Sequence, residues 1–554
     1  MSVAIQGWWM YQTIRDSQYY YDIILLPAWS FMTIFFLNSC ILNVVAIIVP
    51  GKWFARNSLY YSTYDASALE LRANPQSQQL PRLLIQIPVY KESFAETIKP
   101  TLLNALEACA VYPGESSILV SDDGLAFMKE DDIERRQREE FYRIHSPIIT
   151  YMSRPTWGRR GRFKKAGNVN YSLASSPVAQ ESDILLLLDS DSRISPQTIP
   201  LIVNEFKAEP RLGFIQVKTI SMQPSEGQNS AWNTLISHFT DNIYSLSFVL
   251  VTAFGDPSPF VGHNAFLRLA ALREVALEGK ATTLFSEDHV SEDFECSMRL
   301  QNGGWIGRYV VLPPATEFEE GVTLNVFDEV IRLQKYAFGI SELILNPISK
   351  WGTQSGILGD TFKKYLRSAN VSLTTKYNII GYMGTWYALA IIPFAVTIHY
   401  FGYFYCPYWH RLAVTSENIM YGCAIVFSAL TPIATIILKW KLGRPVYIIG
   451  EITCTIIYGI FFSGIGIYLF ISILGHAVGW PRLGWTATAK EKASKCDTLI
   501  NGGRLMWPGI VFAFGQLGMV IFGWFYLGFK SWQGIFPMTW SAASTIAVVI
   551  MGVL

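Results

Sequence analysis

One short stretch sets the architecture expected of this chain: Glu181-Ser-Asp-Ile-Leu-Leu-Leu-Leu-Asp-Ser-Asp-Ser192. Its five apolar residues, Ile184 to Leu188, show no polar alternation, which is typical of a strand covered on both faces in a parallel sheet. The run ends on Asp189 and Asp191, and ligands bind at the carboxyl ends of strands in open α/β sheets. Two carboxylates one residue apart suit Mg²⁺ or Mn²⁺ holding a diphosphate. A solvated acidic turn is the alternative interpretation.

The composition indicates a membrane protein that also has a water-soluble part. The chain has 554 residues, more than one ordinary domain, and is 51% hydrophobic but only 16% charged. The net charge of +1 gives no indication of nucleic-acid binding. Seven cysteines show no Cys-x-x-Cys pairing, so neither a disulfide framework nor a zinc site is expected.

Long apolar segments predict about six transmembrane helices. The first, residues 23–49, is long enough to span a bilayer, and Lys52 and Arg56 after it place the following region in the cytoplasm. The basic loop at 475–505 also favours the cytoplasm, which conflicts with one crossing per segment and indicates that one segment is miscounted; the glycine-rich 446–474 is the candidate for a broken or re-entrant segment, so the count is six, plus or minus one. The later apolar segments are 377–404, 419–438, 446–474, 506–528 and 536–554.

Between the membrane segments, apolar strands alternate with helical patterns and predict a doubly wound, mostly parallel α/β sheet. Strand Leu83-Leu-Ile-Gln-Ile-Pro-Val-Tyr90 precedes a helix that extends to about Val111, and strand 117–121 ends on Asp122-Asp123-Gly124. The carboxylate of Asp123 could bond a nucleobase edge at this strand end. A surface turn formed by Asp-Gly is the alternative.

A basic run precedes the acidic strand: Trp157-Gly-Arg-Arg-Gly-Arg-Phe-Lys-Lys-Ala-Gly-Asn168. We interpret Arg159 to Lys164 as a solvated charged face. Lys165-Ala-Gly-Asn168 differs, because glycine and asparagine let the backbone and Lys165 approach an anion closely.

Together these motifs resemble the inverting family 2 glycosyltransferases of the GT-A fold, most closely the membrane-embedded cellulose, chitin, hyaluronan and periplasmic glucan synthases. The resemblance implies that Asp123 contacts the uracil of a UDP-sugar and that Asp189 and Asp191 hold Mg²⁺ or Mn²⁺ with the diphosphate. It also implies four further donor-binding residues, from Ile87-Pro-Val-Tyr-Lys-Glu92 and the Lys-Ala-Gly-Asn motif: Pro88, Tyr90, Glu92 and Lys165.

Two later segments extend the resemblance. Phe260-Val-Gly-His-Asn-Ala265 is similar to the acceptor-pocket segment, which implies acceptor contacts from Gly262, His263 and Asn264; a glycine turn with a structural histidine is the alternative. Val290-Ser-Glu-Asp-Phe-Glu295 is similar to the motif that supplies the general base, here Asp293.

An inverting transfer needs one carboxylate to accept the proton of the attacking hydroxyl, and no covalent intermediate. We expect the adjacent Glu292 to raise the pKa of Asp293 modestly. Ser286-Glu-Asp288 repeats the tripeptide, but Asp288 lacks the downstream Gly303-Gly-Trp305. Ser291 could serve as a helix N-cap.

Two segments depart from the family pattern. Arg332-Leu-Gln-Lys-Tyr336 stands where processive synthases carry Gln/Arg-x-x-Arg-Trp, so Arg332 and Lys335 are expected at the donor and Tyr336 at the acceptor. An ordinary amphipathic helix at 326–345 is the alternative, and 351–372 resembles a second surface helix. Gly484-Trp-Thr-Ala-Thr-Ala-Lys490 is similar to a nucleotide gating loop, whose contacts would be Trp485, Thr488 and Lys490; a polar loop between helices is the alternative.

The predicted organisation has four parts: an N-terminal transmembrane helix at 1–50, a cytosolic GT-A domain at 51–325, interfacial helices at 326–375 and a transmembrane channel at 376–554. The resemblance implies a processive synthase that elongates a β-glycan from UDP-glucose and passes it through its own helices, in the plasma or cytoplasmic membrane. A non-processive enzyme acting on a lipid carrier and a transporter with a degenerate nucleotide-binding domain remain as alternatives.

Overall fold

A computed structural model describes residues 11, 15, 36–54, 56–70, 80–157, 159, 164–222, 231–277, 283–405, 409–480 and 495–553. The chain divides into two compact units. The α/β unit comprises Pro50–Val322 and Leu358–Lys376, and the helical unit comprises Met1–Val49, Thr323–Ile357 and Tyr377–Leu554.

The α/β unit contains ten strands within the described residues. They are β1 (Tyr61–Thr63), β2 (Leu83–Val89), β3 (Ser116–Asp122), β4 (Ile149–Met152), β5 (Ile184–Leu187), β6 (Leu212–Val217), β7 (Thr219–Ser221), β8 (Ala265–Arg268), β9 (Ile306–Val311) and β10 (Phe318–Glu320). Eight form one sheet in the order β1-β9-β6-β8-β5-β2-β3-β4, and β7 pairs with β10 separately. Among the described strands of this sheet, β8 alone is antiparallel to its neighbours, β5 and β6. The predicted mostly parallel α/β fold is confirmed, although β5 has a parallel neighbour on one side only.

The strands that carry the predicted site end at one edge of the sheet. In the parallel register, Gln86 of β2 lies beside Leu187 of β5, and Val89 of β2 lies beside Asp122 of β3. The N–H of Asp123 donates to the carbonyl of Val89 at 3.0 Å, so Asp123 continues from this edge. The acidic ends of β3 and β5 therefore both flank β2.

Helices cover both faces of the sheet because its strands are apolar on both faces. Alternate residues of β5 belong to different cores: Ile184 and Leu186 pack in one, Leu185 and Leu187 in the other. The α-helices of this unit are Gly51–Phe54, Ala66–Glu70, Lys99–Val111, Ile133–Ile144, Lys164–Ser175, Pro177–Glu181, Ile199–Ala208, Ala231–Asn242, Val249–Ala253, Leu269–Glu274, Glu292–Asn302 and Asp360–Arg367, with π-helical turns at Phe94–Ile98 and Ile243–Phe248.

The helical unit contains Phe36–Ile48, Val326–Ile344, most of Leu373–Tyr405, Trp409–Lys441, Ile448–Gly464, Gly466–Ala477, Lys495–Tyr526 and Trp532–Val553. Within the described residues, three helices are long and apolar enough to cross a membrane: Leu373–Tyr405, Ile500–Tyr526 and Trp532–Gly552. Helices Ile448–Gly464 and Gly466–Ala477, bent by 45° at their junction, make a fourth candidate if they form one span, which agrees with the predicted break in 446–474. The count of about six remains a prediction.

The predicted surface helix at 351–372 is largely wrong, because only Asp360–Arg367 within it is helical. This helix packs in the α/β unit, where the hydroxyl of Tyr365 donates to Gln301 at 2.9 Å and that of Thr361 donates to Glu295 at 3.2 Å.

A buried ion pair holds the end of β3. The guanidinium of Arg138 donates to Asp122 at 3.1 Å, and both side chains are fully buried. The hydroxyl of Tyr142 donates to the same carboxylate at 3.0 Å, and the N–H of Gly124 caps it at 3.0 Å. Asp122 therefore anchors the turn that presents Asp123.

We predict that Arg138→Met lowers the free energy of unfolding of the α/β unit by about 3–5 kcal/mol, because a buried carboxylate loses its cation. The measurement is the apparent Tm of the detergent-solubilised chain. The control is Arg143→Met, which removes an exposed arginine of the same helix and should leave Tm unchanged. Equal Tm values for the two variants would contradict the role given to Arg138.

Candidate active site

Lys165 and Asp189 form the centre of the candidate site. The Nζ of Lys165 lies 2.7 Å from Oδ1 of Asp189 and 3.4 Å from the carbonyl oxygen of Gly262. Burial would lower the pKa of the Lys165 amine, but the attraction of Asp189 and of Glu292 outweighs it and raises that pKa. The predicted anion-binding lysine is therefore a permanent cation among acidic groups.

The position of Lys165 follows from how its helix is attached to the sheet. Lys165 lies in the first turn of helix Lys164–Ser175. One turn further on, the side chain of Asn168 donates to the carbonyl of Ser121 in β3 at 2.6 Å, and Gln86 of β2 donates to the carbonyl of Val169 at 3.3 Å. These bonds fix the N-terminus of the helix at the acidic edge of the sheet.

Asp293 and Glu292 share a small cavity with Lys165. The cavity is lined by Lys165, Ala166, Val169, Leu187, Gly262, Phe285, Glu292 and Asp293. Gly262 has a φ of 79°, and a Cβ at this position would lie 3.0 Å from Oδ2 of Asp293. The glycine turn thus makes room for the predicted base.

The environment raises the pKa of both neighbouring acids. Burial, followed by repulsion from Asp293, raises the pKa of Glu292 to about 8. Burial also raises the pKa of Asp293. The N–H of Phe294, which donates to Oδ1 of Asp293 at 2.7 Å, lowers that pKa but does not outweigh burial. A raised pKa is what a carboxylate needs to accept a proton near neutral pH. The predicted side-chain cap is wrong: Ser291 precedes helix Glu292–Asn302, but its hydroxyl makes no capping hydrogen bond.

His263 lies on the same turn and faces two carboxylates. Its Nε2 contacts Glu320 of β10, and its Nδ1 lies 4.0 Å from Oδ2 of Asp189. Burial would lower the pKa of His263, but the attraction of Glu320 raises it to about 9. Gln216 braces this turn, since it donates to the carbonyl of His263 at 3.0 Å and accepts from the N–H of Val261 at 3.1 Å.

Asn264 is fully buried behind the turn, with a φ of 50°, and its Nδ2 donates to Thr219 at 3.4 Å. Its positive φ and its burial explain Asn264 as a residue that forms the turn. Its predicted contact with an acceptor stays a prediction.

The two predicted metal ligands follow β5 directly. Asp189 is partly exposed, and the carboxylate of Asp191 packs against the backbone of Gly321. Within the described residues no group of three or more His, Cys, Asp or Glu side chains is arranged to hold a metal ion. Two carboxylates nevertheless fit Mg²⁺ or Mn²⁺, which commonly bind through one or two carboxylates together with substrate phosphates and water.

Asp123 is held by two arginines that sequence reasoning did not assign to the site. Arg154 donates to its carboxylate through Nε at 3.1 Å and Nη2 at 2.5 Å, and Nη1 of Arg159 lies 3.7 Å from Oδ2. The expectation of a solvated face is wrong for Arg159, whose side chain is 12% exposed. It is buried because its guanidinium covers the ring of Phe127 at 4.6 Å.

The predicted donor residues Pro88, Tyr90 and Glu92 lie at the end of β2 and directly after it. Pro88 of β2 is in register with Ser121 of β3, and the N–H of Tyr90 donates to Oε2 of Glu92 at 2.7 Å. The ring of Tyr90 packs edge-on against Phe127, 5.9 Å between centroids. Phe127 thus contacts both Tyr90 and Arg159, and the predicted donor contacts of Pro88, Tyr90 and Glu92 stay predictions.

The tripeptide Ser286-Glu-Asp288 has a different role from that of Asp293. Asp288 is exposed, whereas Oε1 of Glu287 accepts a hydrogen bond from Asn170 at 3.0 Å. Asn170 also donates to the carbonyl of Phe285 at 2.8 Å and accepts from the N–H of Leu284 at 3.1 Å. Asn170 thereby ties the segment before the base to the helix that carries Lys165.

Three predicted residues lie on helix Val326–Ile344 of the helical unit. Arg332 pairs with buried Glu329 at 2.9 Å, and Tyr336 is 43% exposed beside Trp386. Burial lowers the pKa of Lys335 to about 8, despite the attraction of Asp328. Their parts in donor and acceptor binding stay predictions. The loop residues Trp485, Thr488 and Lys490 lie outside the described residues.

Sequence reasoning missed Arg154, Glu320 and Asn170. Arg154 follows β4, the strand beside β3, so its position at a neighbouring strand end was a usable signal. Glu320 reaches His263 from β10, a three-residue strand in a separate small sheet that no sequence pattern indicates. Asn170 lies two residues after the Lys-Ala-Gly-Asn motif, and sequence reasoning gave it no role of its own.

A mostly parallel α/β sheet with acidic side chains and a lysine at its strand ends places the candidate site at the edge where α/β proteins of this class bind their ligands. The family model of glycosyl transferase family group 2 matches residues 184–462, half of the chain. The chain belongs to this family, which confirms the family predicted from its motifs.

Named relatives agree with that assignment. The chain is 24% identical over 301 residues to the cellulose synthase 1 catalytic subunit [UDP-forming] of Komagataeibacter xylinus, covering 53% of this chain and 35% of the relative. It is also 24% identical over 277 residues to glucans biosynthesis glucosyltransferase H of Cereibacter sphaeroides, covering 48% of this chain and 44% of the relative. The chain thus matches less than half the length of either relative.

One solved structure shares a partial resemblance. It is the mannosyltransferase PcManGT of Pyrobaculum calidifontis in complex with GDP-Man and Mn²⁺, which superposes with a TM-score of 0.36 at 15% identity, over 71% of this chain and 96% of that one.

We predict that Gly262→Ala lowers kcat by about 100-fold, because the added methyl group displaces Asp293 and strains a backbone at positive φ. The matched control is Gly255→Ala, where φ is 103° but a Cβ has no neighbour within 4 Å. The control separates the effect of backbone strain from the effect of crowding Asp293. Equal losses in both variants would show that Gly262 serves folding alone.

We further predict that Glu292→Gln becomes more stable relative to the native chain as the pH rises. The folded pKa of Glu292 is about 8, whereas an unfolded glutamate titrates near about 4.3. Protonated Glu292 therefore makes its full contribution to the stability of the native chain below about pH 4.3. The native chain loses this contribution as the pH rises through about 8, whereas Glu292→Gln does not titrate. Apparent Tm values at about pH 5, 7 and 9 test this, with the exposed Glu115→Gln as control. A difference in Tm that is constant with pH would contradict it.

Proposed function

We propose that the protein is a membrane-integrated, inverting glycosyltransferase that transfers a hexose from a UDP-sugar, with UDP-glucose as the best candidate, to a growing β-glycan. The observation that carries the proposal is the meeting of Lys165, Asp189 and Asp293 around one turn, Gly262-His263, although these residues are far apart in the sequence. An anion-binding lysine, a carboxylate for a metal and a partly buried base are the parts this reaction needs.

In the proposed reaction, Asp293 accepts the proton of an acceptor hydroxyl while that oxygen forms a bond to the anomeric carbon. The bond from that carbon to the β-phosphate oxygen breaks, and UDP leaves with the electron pair. Because attack and departure occur on opposite faces, the configuration inverts and one base suffices. Burial and repulsion from Asp293 raise the pKa of Glu292 to about 8, which favours its neutral form and so limits the negative charge beside the base.

Lys165 would attract the diphosphate, and Asp189 with Asp191 would hold Mg²⁺ or Mn²⁺ against it. A bound divalent ion supplies charge neutralisation for the departing diphosphate. The turn at Gly262 would orient the acceptor hydroxyl towards Asp293, and His263 would contribute a further donor to the sugar or phosphate oxygens.

The candidate membrane helices support a further part of the proposal: the product leaves through the helical unit while the α/β unit works in the cytosol. Lys52 and Arg56 after the first apolar segment favour that orientation. Processive elongation follows by analogy with the family, and Tyr336 offers a ring for stacking on a sugar.

A non-processive enzyme that glycosylates a lipid carrier is the second candidate. The observation in its favour is the pair Lys335 and Tyr336, where processive members carry Arg-Trp, since lysine lacks the bidentate fork of arginine. A transporter with a degenerate nucleotide-binding domain is disfavoured by the intact set of Asp189, Asp191 and Asp293.

One assay separates the candidates. Purified full-length protein in lipid nanodiscs is incubated with Mn²⁺ and each UDP-sugar in turn, and both UDP release and product size are measured. Long polymer from one donor supports the synthase, and a single sugar on lipid supports the second candidate. The absence of UDP release with every donor would contradict both.

We predict that Asp293→Asn lowers the transfer rate by at least about 1,000-fold, because the amide cannot accept the proton. Affinity for UDP should stay within a few-fold of the native value, as measured by titration calorimetry. The matched control is Asp288→Asn, which changes an exposed aspartate in the repeated tripeptide and should keep full activity. If Asp288→Asn loses the activity and Asp293→Asn keeps it, the base is misassigned.

A further inference from the structure

The short strand β10 and the glycine after it contact two separate parts of the candidate site. The carboxylate of Glu320 contacts Nε2 of His263 in the turn at residues 261–264, which we call the acceptor turn. The backbone of Gly321 packs against the carboxylate of Asp191, and a Cβ at Gly321 would collide with Oδ2 of Asp191. Two consecutive residues therefore bring a predicted metal ligand and the acceptor turn together.

Hydrogen bonds on both sides fix the backbone of β10. On one side, β10 pairs with β7, and the N–H of Met222 donates to the carbonyl of Glu320 at 2.8 Å. On the other side, the N–H of Glu319 donates to the carbonyl of Arg193 at 2.8 Å, and the N–H of Arg193 donates to that of Glu319 at 2.9 Å. Glu320 therefore projects from a backbone that is held between β7 and the segment that follows Asp191.

The ring of His263 is fixed between two oxygen acceptors. Its Nδ1 lies 3.1 Å from the carbonyl oxygen of Val261, and its Nε2 contacts the carboxylate of Glu320. Carbonyl and carboxylate oxygens only accept hydrogen bonds, so both ring nitrogens act as donors here. A hydrogen bond to a carboxylate is about twice as strong as one between neutral groups. Glu320 thus holds the acceptor turn through a strong side-chain contact.

We propose that Glu320 is a positioning residue for the acceptor: through His263 it holds the acceptor turn so that an acceptor hydroxyl, and not water, reaches Asp293. The inference deepens the proposed function and rests on it. Gly262 connects the two ends of this contact, because it lies in the same turn and a Cβ there would be 3.0 Å from Oδ2 of Asp293. A displacement of about 1 Å in such a position can cost about 100-fold in rate.

Water can take the place of the acceptor in the proposed reaction. Its oxygen then forms the bond to the anomeric carbon, one of its protons passes to Asp293, and UDP leaves with the electron pair of the broken bond. The products are free hexose and UDP. Because Asp189 follows β5 and Asp293 belongs to helix Glu292–Asn302, we expect this hydrolysis to persist when Glu320 is removed. The ratio of free hexose to transferred hexose therefore measures the positioning of the acceptor separately from donor binding.

The test compares variants of the full-length protein in lipid nanodiscs with Mn²⁺ and the UDP-sugar that gives the most UDP release with the native chain. Glu320→Ala should lower transfer by about 100-fold and raise the ratio of free to transferred hexose by about 10-fold, because the acceptor is misplaced. Affinity for UDP, measured by calorimetry, should stay within a few-fold of the native value. Glu320→Gln keeps an oxygen for Nε2 of His263 but no charge, so its loss of transfer should be about 10-fold.

The matched control is Glu319→Ala, since adjacent side chains of a strand point to opposite faces. This variant should match the native chain in transfer rate and in hexose ratio.

Each outcome decides for or against the inference. A native transfer rate and a native ratio in Glu320→Ala overturn it and leave the glycosyltransferase proposal intact. A loss of transfer at an unchanged ratio also overturns it, as does an equal change in Glu319→Ala, because Glu320 would then serve folding alone. If Glu320→Ala does not fold, a raised ratio in Glu320→Gln supports the inference and a native ratio overturns it. The absence of UDP release from the native chain would overturn the proposed function and this inference with it.

Discussion

The ion pair between Lys165 and Asp189 is the interaction on which the site depends. Three acidic side chains, Asp189, Glu292 and Asp293, approach the same lysine, and carboxylates so close together repel one another in a buried environment. Lys165 offsets that repulsion and joins the end of β5 to the helix that follows the basic run. The same cation that stabilises the cleft before the donor binds would attract the diphosphate when it arrives.

Much of the site could be predicted because parallel strands present their carboxyl ends at one edge. Asp123 and Asp189 follow strands that flank β2, so a pattern of apolar runs ending in acids was sufficient to bring them to one edge. Lys165 could be singled out by the glycine and asparagine that follow it, whereas Asp293 required the family resemblance, since nothing in the periodicity distinguishes Asp293 from Asp288. The structure separates those two by burial and by the glycine turn at Gly262.

Other features could not be predicted because they arise from pairings between distant segments. The contact of Glu320 with His263 depends on β10 lying beside β7, and the burial of Arg159 depends on a ring, Phe127, contributed by another loop. A run of five basic residues looks solvated in sequence, and only tertiary contacts show that Arg159 is held on three backbone carbonyls. The antiparallel strand β8 was likewise hidden, since its four residues resemble any buried strand.

The central claim is that distant carboxylates and one lysine form a single donor site at the strand ends of the α/β unit. The most direct measurement is an experimental structure of the full-length protein in lipid nanodiscs with UDP and Mn²⁺. The account predicts the metal ion between the diphosphate and the carboxylates of Asp189 and Asp191, with Lys165 at the phosphates and Asp293 lining the same cleft. UDP and Mn²⁺ bound at any other surface, with Asp293 facing a different cavity, would contradict it.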